Sequence, residues 1–244
     1  MEIKCINSWK KFLPRHRIIE WNESNFDVFC CDYVKEAYEA KKWAFVSDYA
    51  RFKVLYEHGG LYFDTDVELI KPIDDILLKG PFMGLERDST SSGEVIVAPG
   101  LGMAANPGLG LYRTILDSYE SDHFRNSDGS YNYRTVVERV TDVLKEMGLE
   151  ERPGIQEVAG VYIYPSEYFN PTDLETGNVQ VTSNTRSIHH YGASWQPDSL
   201  RQVGGLKQKI TKHFPFLPSK LRSGVAWAVY LARTGDFKAM KSRY

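Results

Sequence analysis

The spacing of hydrophobic and polar residues predicts where helices begin and end in the N-terminal part of the chain. Apolar residues recur at helical spacing over residues 3–12 and again over residues 34–58. Pro14 ends the first predicted helix. Gly59 ends the second, which reads as one long helix with its weakest point near Ser47. This part of the chain is therefore predicted to be mainly helical.

Residues 61–70 follow a different pattern, because apolar and polar side chains alternate at every position. Such alternation predicts a β-strand whose side chains point to opposite faces, and Pro72 closes it. Polar residues at i and i+2 then project from one face, about 7 Å apart. One predicted face holds Leu61, Phe63, Thr65, Val67 and Leu69, and the other holds Tyr62, Asp64, Asp66 and Glu68.

Shorter patterns continue the interleaving of strands with helices, which is typical of the α/β class. Residues 187–191 read either as a last strand or as a loop that enters a site. Strands are predicted at residues 17–21, 81–85, 94–98 and 161–164, and helices at residues 109–119, 133–147 and 221–232.

Charge is distributed unevenly along the chain. The 244 residues carry a formal charge of −2, a near balance that argues against a dedicated nucleic-acid binder. However, residues 1–200 hold 20 basic and 31 acidic side chains, whereas residues 201–244 hold 10 basic and one acidic side chain. The contrast predicts an acidic domain over residues 1–200 and a basic, partly amphipathic helical tail over residues 201–244.

The cysteines and the N-terminal sequence indicate the cellular compartment of the protein. Three cysteines, of which Cys30 and Cys31 are adjacent, form no disulfide framework and no C-x-x-C zinc pair. A reducing compartment is the expectation. The N-terminus lacks the apolar region of a signal peptide, and the longest apolar stretch is shorter than the ~20 residues that span a bilayer. We expect a cytoplasmic protein, soluble or peripheral on the inner face of the cell membrane.

Asp64 and Asp66 are the first candidates for chemistry. They follow a hydrophobic run, and strand ends are where open α/β sheets bind ligands. Two carboxylates held together need a cation, and Mg²⁺ or Mn²⁺ suits oxygen ligands. The alternative is a polar face on an edge strand. A calcium loop fits poorly because Leu69 stands where glycine is needed. A haloacid-dehalogenase-type phosphatase fits poorly because Glu68 stands where threonine or valine is usual.

Asp48 lies on the apolar face of the long predicted helix, with Phe45 and Phe52 three and four residues away. A carboxylate on a buried face needs a partner, and Arg51 is the nearest cation on that side. Together they suit sugar hydroxyls or a phosphate. The alternative, which spacing alone leaves open, is that Ser47 and Asp48 cap a new helix and that Asp48 and Arg51 are an ordinary surface pair.

A histidine pair forms the third candidate group. His189 and His190 are adjacent, so on an extended segment only one of them reaches a given ion. Imidazole is a good ligand for Mn²⁺-like ions. Trp195, shortly after, is a candidate stacking platform for a ligand or a core residue. Histidines in such pairs also serve purely structural roles.

Together these segments resemble the D-x-D sugar-transferase signature of glycosyltransferase family 32. The resemblance is carried by Trp43-Ala-Phe-Val-Ser-Asp-Tyr-Ala-Arg51 and by Tyr56-Glu-His-Gly-Gly-Leu-Tyr-Phe-Asp-Thr-Asp66. It extends over roughly residues 3–197. That family includes bacterial capsular and exopolysaccharide transferases and fungal α-mannosyltransferases, and the clostridial glucosylating toxins are related. Outer segments that agree are Lys4-Cys-Ile-Asn-Ser-Trp9, Trp21-Asn-Glu23, residues 163–169 and His189-His190 with Ser194-Trp195.

The resemblance implies a GT-A fold and a metal-dependent, retaining transfer of a hexose from a nucleotide-sugar, with UDP-hexose favoured over GDP-mannose. Asp48 and Arg51 would contact the donor sugar, Tyr62 would line the donor site, and Asp64 would contact the sugar or ribose directly or through Mn²⁺ or Mg²⁺. Asp66 would be the principal metal ligand and His190 the late one, with His189 as the alternative.

The sequence departs from the family pattern at its start. In the family a strand that lines the base pocket normally precedes the Lys4–Trp9 segment, but here Met1 begins almost on the helix and that strand is missing. The sequence therefore predicts a GT-A fold without its usual first strand. Two alternatives to a transferase stay open at this stage: a D-x-D phosphohydrolase, and a truncated, non-catalytic protein that binds a nucleotide-sugar or a glycan.

The tail lies beyond the resemblance. Its lysines surround Phe214, Phe216 and Leu217, a composition that suits an anionic membrane surface. The alternative is a basic helix packed on the acidic body. The expected acceptor is a hydroxyl of a glycan or of a lipid-linked acceptor in surface polysaccharide synthesis, with the tail near the membrane.

Overall fold

The computed structural model describes residues 1–89, 94–192 and 196–240. Within them the chain forms two compact units. The first unit contains residues 1–171 and 181–190, and the second contains residues 172–180 together with the residues from 191 onward. Strands and helices interleave in the first unit, so the predicted α/β class is confirmed.

A mixed sheet forms the centre of the first unit. Its strands run in the order β1-β5-β3-β7-β6, with β4 paired to β3. The pairing of β3 with β7 is parallel and the other pairings are antiparallel. A mixed sheet with flanking helices is consistent with a GT-A-like fold. The strands are β1 (Gly60–Tyr62), β2 (Val67–Leu69), β3 (Phe82–Arg87), β4 (Ile96–Val97), β5 (Met103–Ala105), β6 (Gln156–Val158), β7 (Val161–Tyr164) and β8 (Ser187–His189).

Seven helices accompany these strands in the described part of the first unit, and their apolar faces enclose two hydrophobic clusters. One cluster packs α2, α3, α5 and α6 around Phe52 and Tyr112. The other surrounds Phe82 and Phe169. The helices are α1 (Glu2–Phe12), α2 (Asp32–Glu39), α3 (Trp43–His58), α4 (Asp74–Leu77), α5 (Gly110–Glu120), α6 (Val136–Glu146) and α7 (Ser166–Phe169).

The single strand predicted over residues 61–70 is wrong, because the chain turns in the middle of it. β1 pairs with β5, whereas β2 leaves the main sheet and pairs with β8. The backbone N–H of Val67 donates to the carbonyl of Asp64 at 3.0 Å and closes the turn. Asp64 and Asp66 therefore flank a turn and do not share one face of a strand.

Two other predictions fail for similar local reasons. The long helix breaks at residues 40–42, where Lys41 takes a left-handed φ of 57°, and it continues through Ser47 without interruption. The strand predicted at residues 17–21 is absent, and Ile18 and Ile19 in that segment are 44 % and 47 % exposed. Gly59, with a φ of 66°, ends α3 as predicted.

The second unit is built on a helical hairpin. α8 (Asp198–His213) and α9 (Ser219–Thr234) share a small core that contains Val203, Ala226 and Trp227. The hydrophobic pattern predicted α9 but not α8. Among the described residues, every helix is too short or too polar to cross a bilayer.

Candidate functional site

Helix α3 brings the first two predicted site residues together. Arg51 is only 5 % exposed, and its guanidinium lies 2.7 Å from Oδ1 of Asp48, one helical turn earlier. Its Nε donates to the carbonyl of Ser47 at 3.2 Å. These bonds orient the guanidinium so that a second nitrogen lies 3.3 Å from Oδ1 of Asp64. Asp48 and Arg51 are therefore a buried pair, and the alternatives of a helix cap and a surface ion pair are excluded.

Asp64 is held from three directions. Arg51 approaches it on one side, and the Tyr62 hydroxyl donates to Oδ1 at 2.9 Å. The Arg51 guanidinium also lies 4.9 Å from the centroid of the Tyr62 ring. On the third side the backbone N–H of Asp64 donates to the carbonyl of Gly100 at 3.0 Å. The carboxylate is fixed before any ligand binds, which favours a binding role.

Gly100 is a residue of the site that the sequence did not point to. A Cβ at this position would collide with the Asp64 carboxylate, reaching its Cγ at 2.8 Å. Gly100 sits on the short 3-10 turn at Pro99–Leu101, between β4 and β5. Glycine is required at position 100 because of its contact with Asp64. The two residues are far apart in the sequence, so local patterns could not predict this requirement.

Asp64, Asp66 and His189 together offer one ligand atom each, all within 4.8 Å of one another. Nε2 of His189 is 2.9 Å from Oδ1 of Asp66. Two carboxylate oxygens and an imidazole nitrogen suit Mn²⁺ or a similar ion, so these three side chains fit the divalent cation that the D-x-D pattern implies.

His190 lies elsewhere, which differs from the assignment that the resemblance implied. Its Nε2 is 2.9 Å from Oε2 of Glu68, and the same oxygen accepts a hydrogen bond from Nζ of Lys4 at 2.7 Å. Successive residues of an extended segment point to opposite sides. Because His189 points toward Asp66, His190 points away from it, and the geometry favours the alternative, His189, as the ligand.

Helix α1 supports the turn that carries the carboxylates. The Trp9 indole N–H donates to the carbonyl of Val67 at 2.8 Å, and the Ser8 hydroxyl accepts the N–H of Leu69 at 2.9 Å. Lys4 on the same helix neutralises Glu68. The Lys4–Trp9 segment therefore positions β2, and hence the turn at Asp66.

Burial dominates the electrostatics of the site. It raises the pKa of Asp48 to about 6, with Arg51 pulling that pKa down and Asp64 pushing it up. Burial likewise raises the pKa of Tyr62 far above neutral, so its phenol stays protonated and donates to Asp64. Burial of Arg51 disfavours its charge, but Tyr62, Asp64 and Asp48 together raise its pKa, so it remains a cation.

The predicted site residues thus meet in one place, apart from His190. Asp48, Arg51, Tyr62 and Asp64 are linked by direct contacts, and Asp66 joins Asp64 through the ligand group with His189. Trp195, a candidate stacking residue, falls outside the described residues, as does Ser194.

Known proteins match about a third of this chain in sequence. Residues 1–83 match a family model described as a glycosyltransferase sugar-binding region containing a DXD motif. The chain is 31 % identical over 78 residues to inositol phosphoceramide mannosyltransferase 1 of Schizosaccharomyces pombe. That alignment covers 32 % of this chain and spans only 23 % of the relative's length. No solved structure gives a significant match.

These matches confirm the resemblance to family 32 glycosyltransferases over the segment that carries α1, α3 and the two carboxylates. They show similarity to a glycosyltransferase sugar-binding region with a D-x-D motif over about a third of the chain. Such enzymes generally use a divalent metal ion and a nucleotide-sugar, which is the chemistry that the ligand group and Arg51 suit. The matches give no comparable support to the phosphohydrolase alternative.

Proposed function

We propose that this protein is a metal-dependent, retaining hexosyltransferase that moves a sugar from a nucleotide-sugar to a hydroxyl of a glycan or lipid-linked acceptor. The observation that carries the proposal is the grouping of Asp64, Asp66 and His189 beside the buried Arg51. An oxygen-rich ligand group next to a fixed cation suits a sugar diphosphate better than a neutral ligand.

In this proposal Asp64, Asp66 and His189 would hold Mn²⁺ or Mg²⁺, which would supply positive charge for the diphosphate leaving group. Arg51 adds a permanent positive charge at the same place. Its hydrogen bonds to Ser47 and Asp48 fix its direction, so no reorganisation is needed as charge develops.

Asp48 has a second role in the proposal. One of its carboxylate oxygens is engaged by Arg51, and its side chain is 13 % exposed. The other oxygen is therefore the part of Asp48 that suits a hydroxyl of the donor sugar. The nucleophile is the hydroxyl of the acceptor, and we assign no covalent role to any carboxylate of the chain.

The family pattern and the fungal relative guide the proposed donor and acceptor. The fungal relative is named as a mannosyltransferase, so GDP-mannose belongs beside the UDP-hexoses that the family pattern favours. The acceptor we propose is a growing surface polysaccharide or its lipid-linked precursor, with the enzyme on the cytoplasmic face of the membrane.

Donor binding tests the proposal. A thermal-shift series of UDP- and GDP-sugars should raise the melting temperature in the presence of Mn²⁺, because a ligand that binds only the native state stabilises it by mass action. The Asp66→Asn variant should lose the shift. Asp142→Asn, the same substitution at an exposed ion pair with Arg134, should keep it.

Two results would contradict the proposal. One is a shift of equal size in Asp66→Asn and in the unchanged protein. The other is the absence of a shift with every donor, accompanied by hydrolysis of a generic phosphoester that depends on Asp66, which would favour the phosphohydrolase.

A further inference from the structure

The turn between α8 and α9 exposes large apolar side chains at the tip of the hairpin. Phe214 is 49 % exposed and Phe216 is 77 % exposed, and their rings meet edge to face with centroids 6.1 Å apart. Leu221, at the start of α9, is 52 % exposed. Within a small unit these side chains have no core to enter, because the shared core lies between the helices.

An apolar stripe continues from the tip along the outer side of α9. Leu221, Val225, Ala228 and Ala232 are all exposed and follow one another at steps of four, three and four residues. That spacing places them on one face of the helix. The opposite face, which holds Ala226, Trp227 and Tyr230, is buried. Helix α9 is therefore apolar on both sides, and packing within its own unit explains only one of them.

Cations flank the apolar tip. Between Asp198 and Asp236 the sequence contains no acidic residue. Lys212 and Lys220 are exposed on either side of the phenylalanine turn, and Lys209 is exposed one turn before Lys212. Arg222 is the exception, because it is buried and faces Glu175 at 4.0 Å.

We infer that the α8–α9 turn and the outer face of α9 form a docking surface for an anionic phospholipid bilayer. Phe214, Phe216 and Leu221 enter the boundary between headgroups and acyl chains, and the flanking lysines contact lipid phosphates. Charge complementarity favours this occupant over a neutral apolar partner, because exposed Lys212 and Lys220 flank the apolar tip and the nearby Glu175 faces Arg222. The inference rests on the proposed function and deepens it, because a membrane is where a lipid-linked acceptor lies. The docking surface itself is tested by a separate experiment.

Flotation of the full chain with vesicles gives that test. The protein should float with vesicles of phosphatidylcholine that contain about a third phosphatidylglycerol, and it should remain unbound with phosphatidylcholine alone. The double variant Phe214→Ser/Phe216→Ser should bind the anionic vesicles at least about tenfold more weakly. Phe237→Ser is the matched control, because Phe237 is 70 % exposed but lies beyond the other end of α9.

A charge series completes the experiment. Lys212→Glu/Lys220→Glu should weaken binding about tenfold or more, whereas Lys35→Glu/Lys79→Glu, the same change at exposed sites of the first unit, should leave it within about twofold. Flotation that is equal with neutral vesicles, or equal losses in the tip and control variants, would overturn the inference. Donor-induced thermal shifts of the same variants without vesicles should match the unchanged protein, so failure of the membrane surface is distinguishable from failure of the proposed activity.

Discussion

Arg51 sets the charge balance of the site because it is a buried cation between two carboxylates. It lies 2.7 Å from Asp48 and 3.3 Å from Asp64. Removing the Arg51 charge would leave the Asp48 carboxylate buried without its cation, which costs several kcal/mol. The site therefore depends on the protonation state of Asp48 as well as on its presence.

Protonation of Asp48 gives opposite predictions for stability and for donor binding. Its pKa of about 6 in the folded protein lies above the ordinary value of 3.8, so the folded state binds this proton more tightly than the unfolded state does. Lowering the pH of the metal-free protein from 7 to 5 should therefore add about 1 kcal/mol to its free energy of unfolding from this group. Over the same range donor affinity should fall, since the ionised carboxylate is the form that orients Arg51.

The variant Asp48→Asn isolates the contribution of Asp48 to the pH dependence of stability and of donor binding. Urea unfolding of this variant should lack the Asp48 contribution, and its donor affinity should depend less on pH between 5 and 7 than that of the unchanged protein. Competition between protons and the metal ion for His189 remains in both proteins. The raised pKa of His123, which comes from its hydrogen bond to Glu36, affects both proteins equally and cancels in the comparison. Parallel pH profiles for the two proteins would show that Asp48 does not titrate in this range.

The two adjacent histidines give a direct comparison of neighbouring side chains. His189→Ala should weaken Mn²⁺ binding by at least about tenfold, because His189 is grouped with Asp64 and Asp66. His190→Ala should change it by less than about threefold, because its imidazole is directed to Glu68. Calorimetric titration with Mn²⁺ measures both, and the larger loss in His190→Ala would restore the assignment that the family pattern implied.

Among the secondary-structure elements, the turn between β1 and β2 assembles the candidate metal ligands. β1 belongs to the main sheet and β2 pairs with β8, so the turn brings the carboxylates to the strand that carries His189. Helix α1 braces β2 through Ser8 and Trp9. The function of the turn is thus to join elements that lie far apart in the sequence.

Gly100 provides a test of this arrangement that leaves every polar group of the site in place. Gly100→Ala should displace the Asp64 carboxylate and weaken Mn²⁺-dependent donor binding about tenfold or more, because the added Cβ occupies its position. Gly110→Ala is the matched control, since a Cβ there meets nothing within 4 Å and alanine suits a helix. Donor calorimetry with both variants checks this, and wild-type affinity in Gly100→Ala would contradict it.

Local patterns predicted the elements that local physics determines. Helix α1 before Pro14, the end of α3 at Gly59 and strand β7 follow from periodicity and from glycine or proline chemistry. The turn at residues 64–67 was missed because Asp-Thr-Asp continues the polar alternation of a strand. The partner that splits the strand, β8, lies more than 100 residues away.

At the scale of the whole molecule, the sequence predicted the α/β class, the glycosyltransferase resemblance and the residues that meet at the site. The charge pattern also predicted an acidic body over residues 1–200 and a basic tail over residues 201–244, and this division stays a prediction. The choice between His189 and His190 and the requirement for Gly100 were not predictable, because both depend on contacts between distant segments.

Release of nucleoside diphosphate is the direct test of metal-dependent cleavage of a nucleotide-sugar at Asp64, Asp66 and His189. The full chain is incubated with Mn²⁺ and each of a panel of UDP- and GDP-hexoses, in parallel with Asp66→Asn and Asp142→Asn. We expect release from at least one donor. This release should need the metal ion, persist in Asp142→Asn and disappear in Asp66→Asn. Release that is unchanged in Asp66→Asn, or no release from any donor with the metal present, would contradict it.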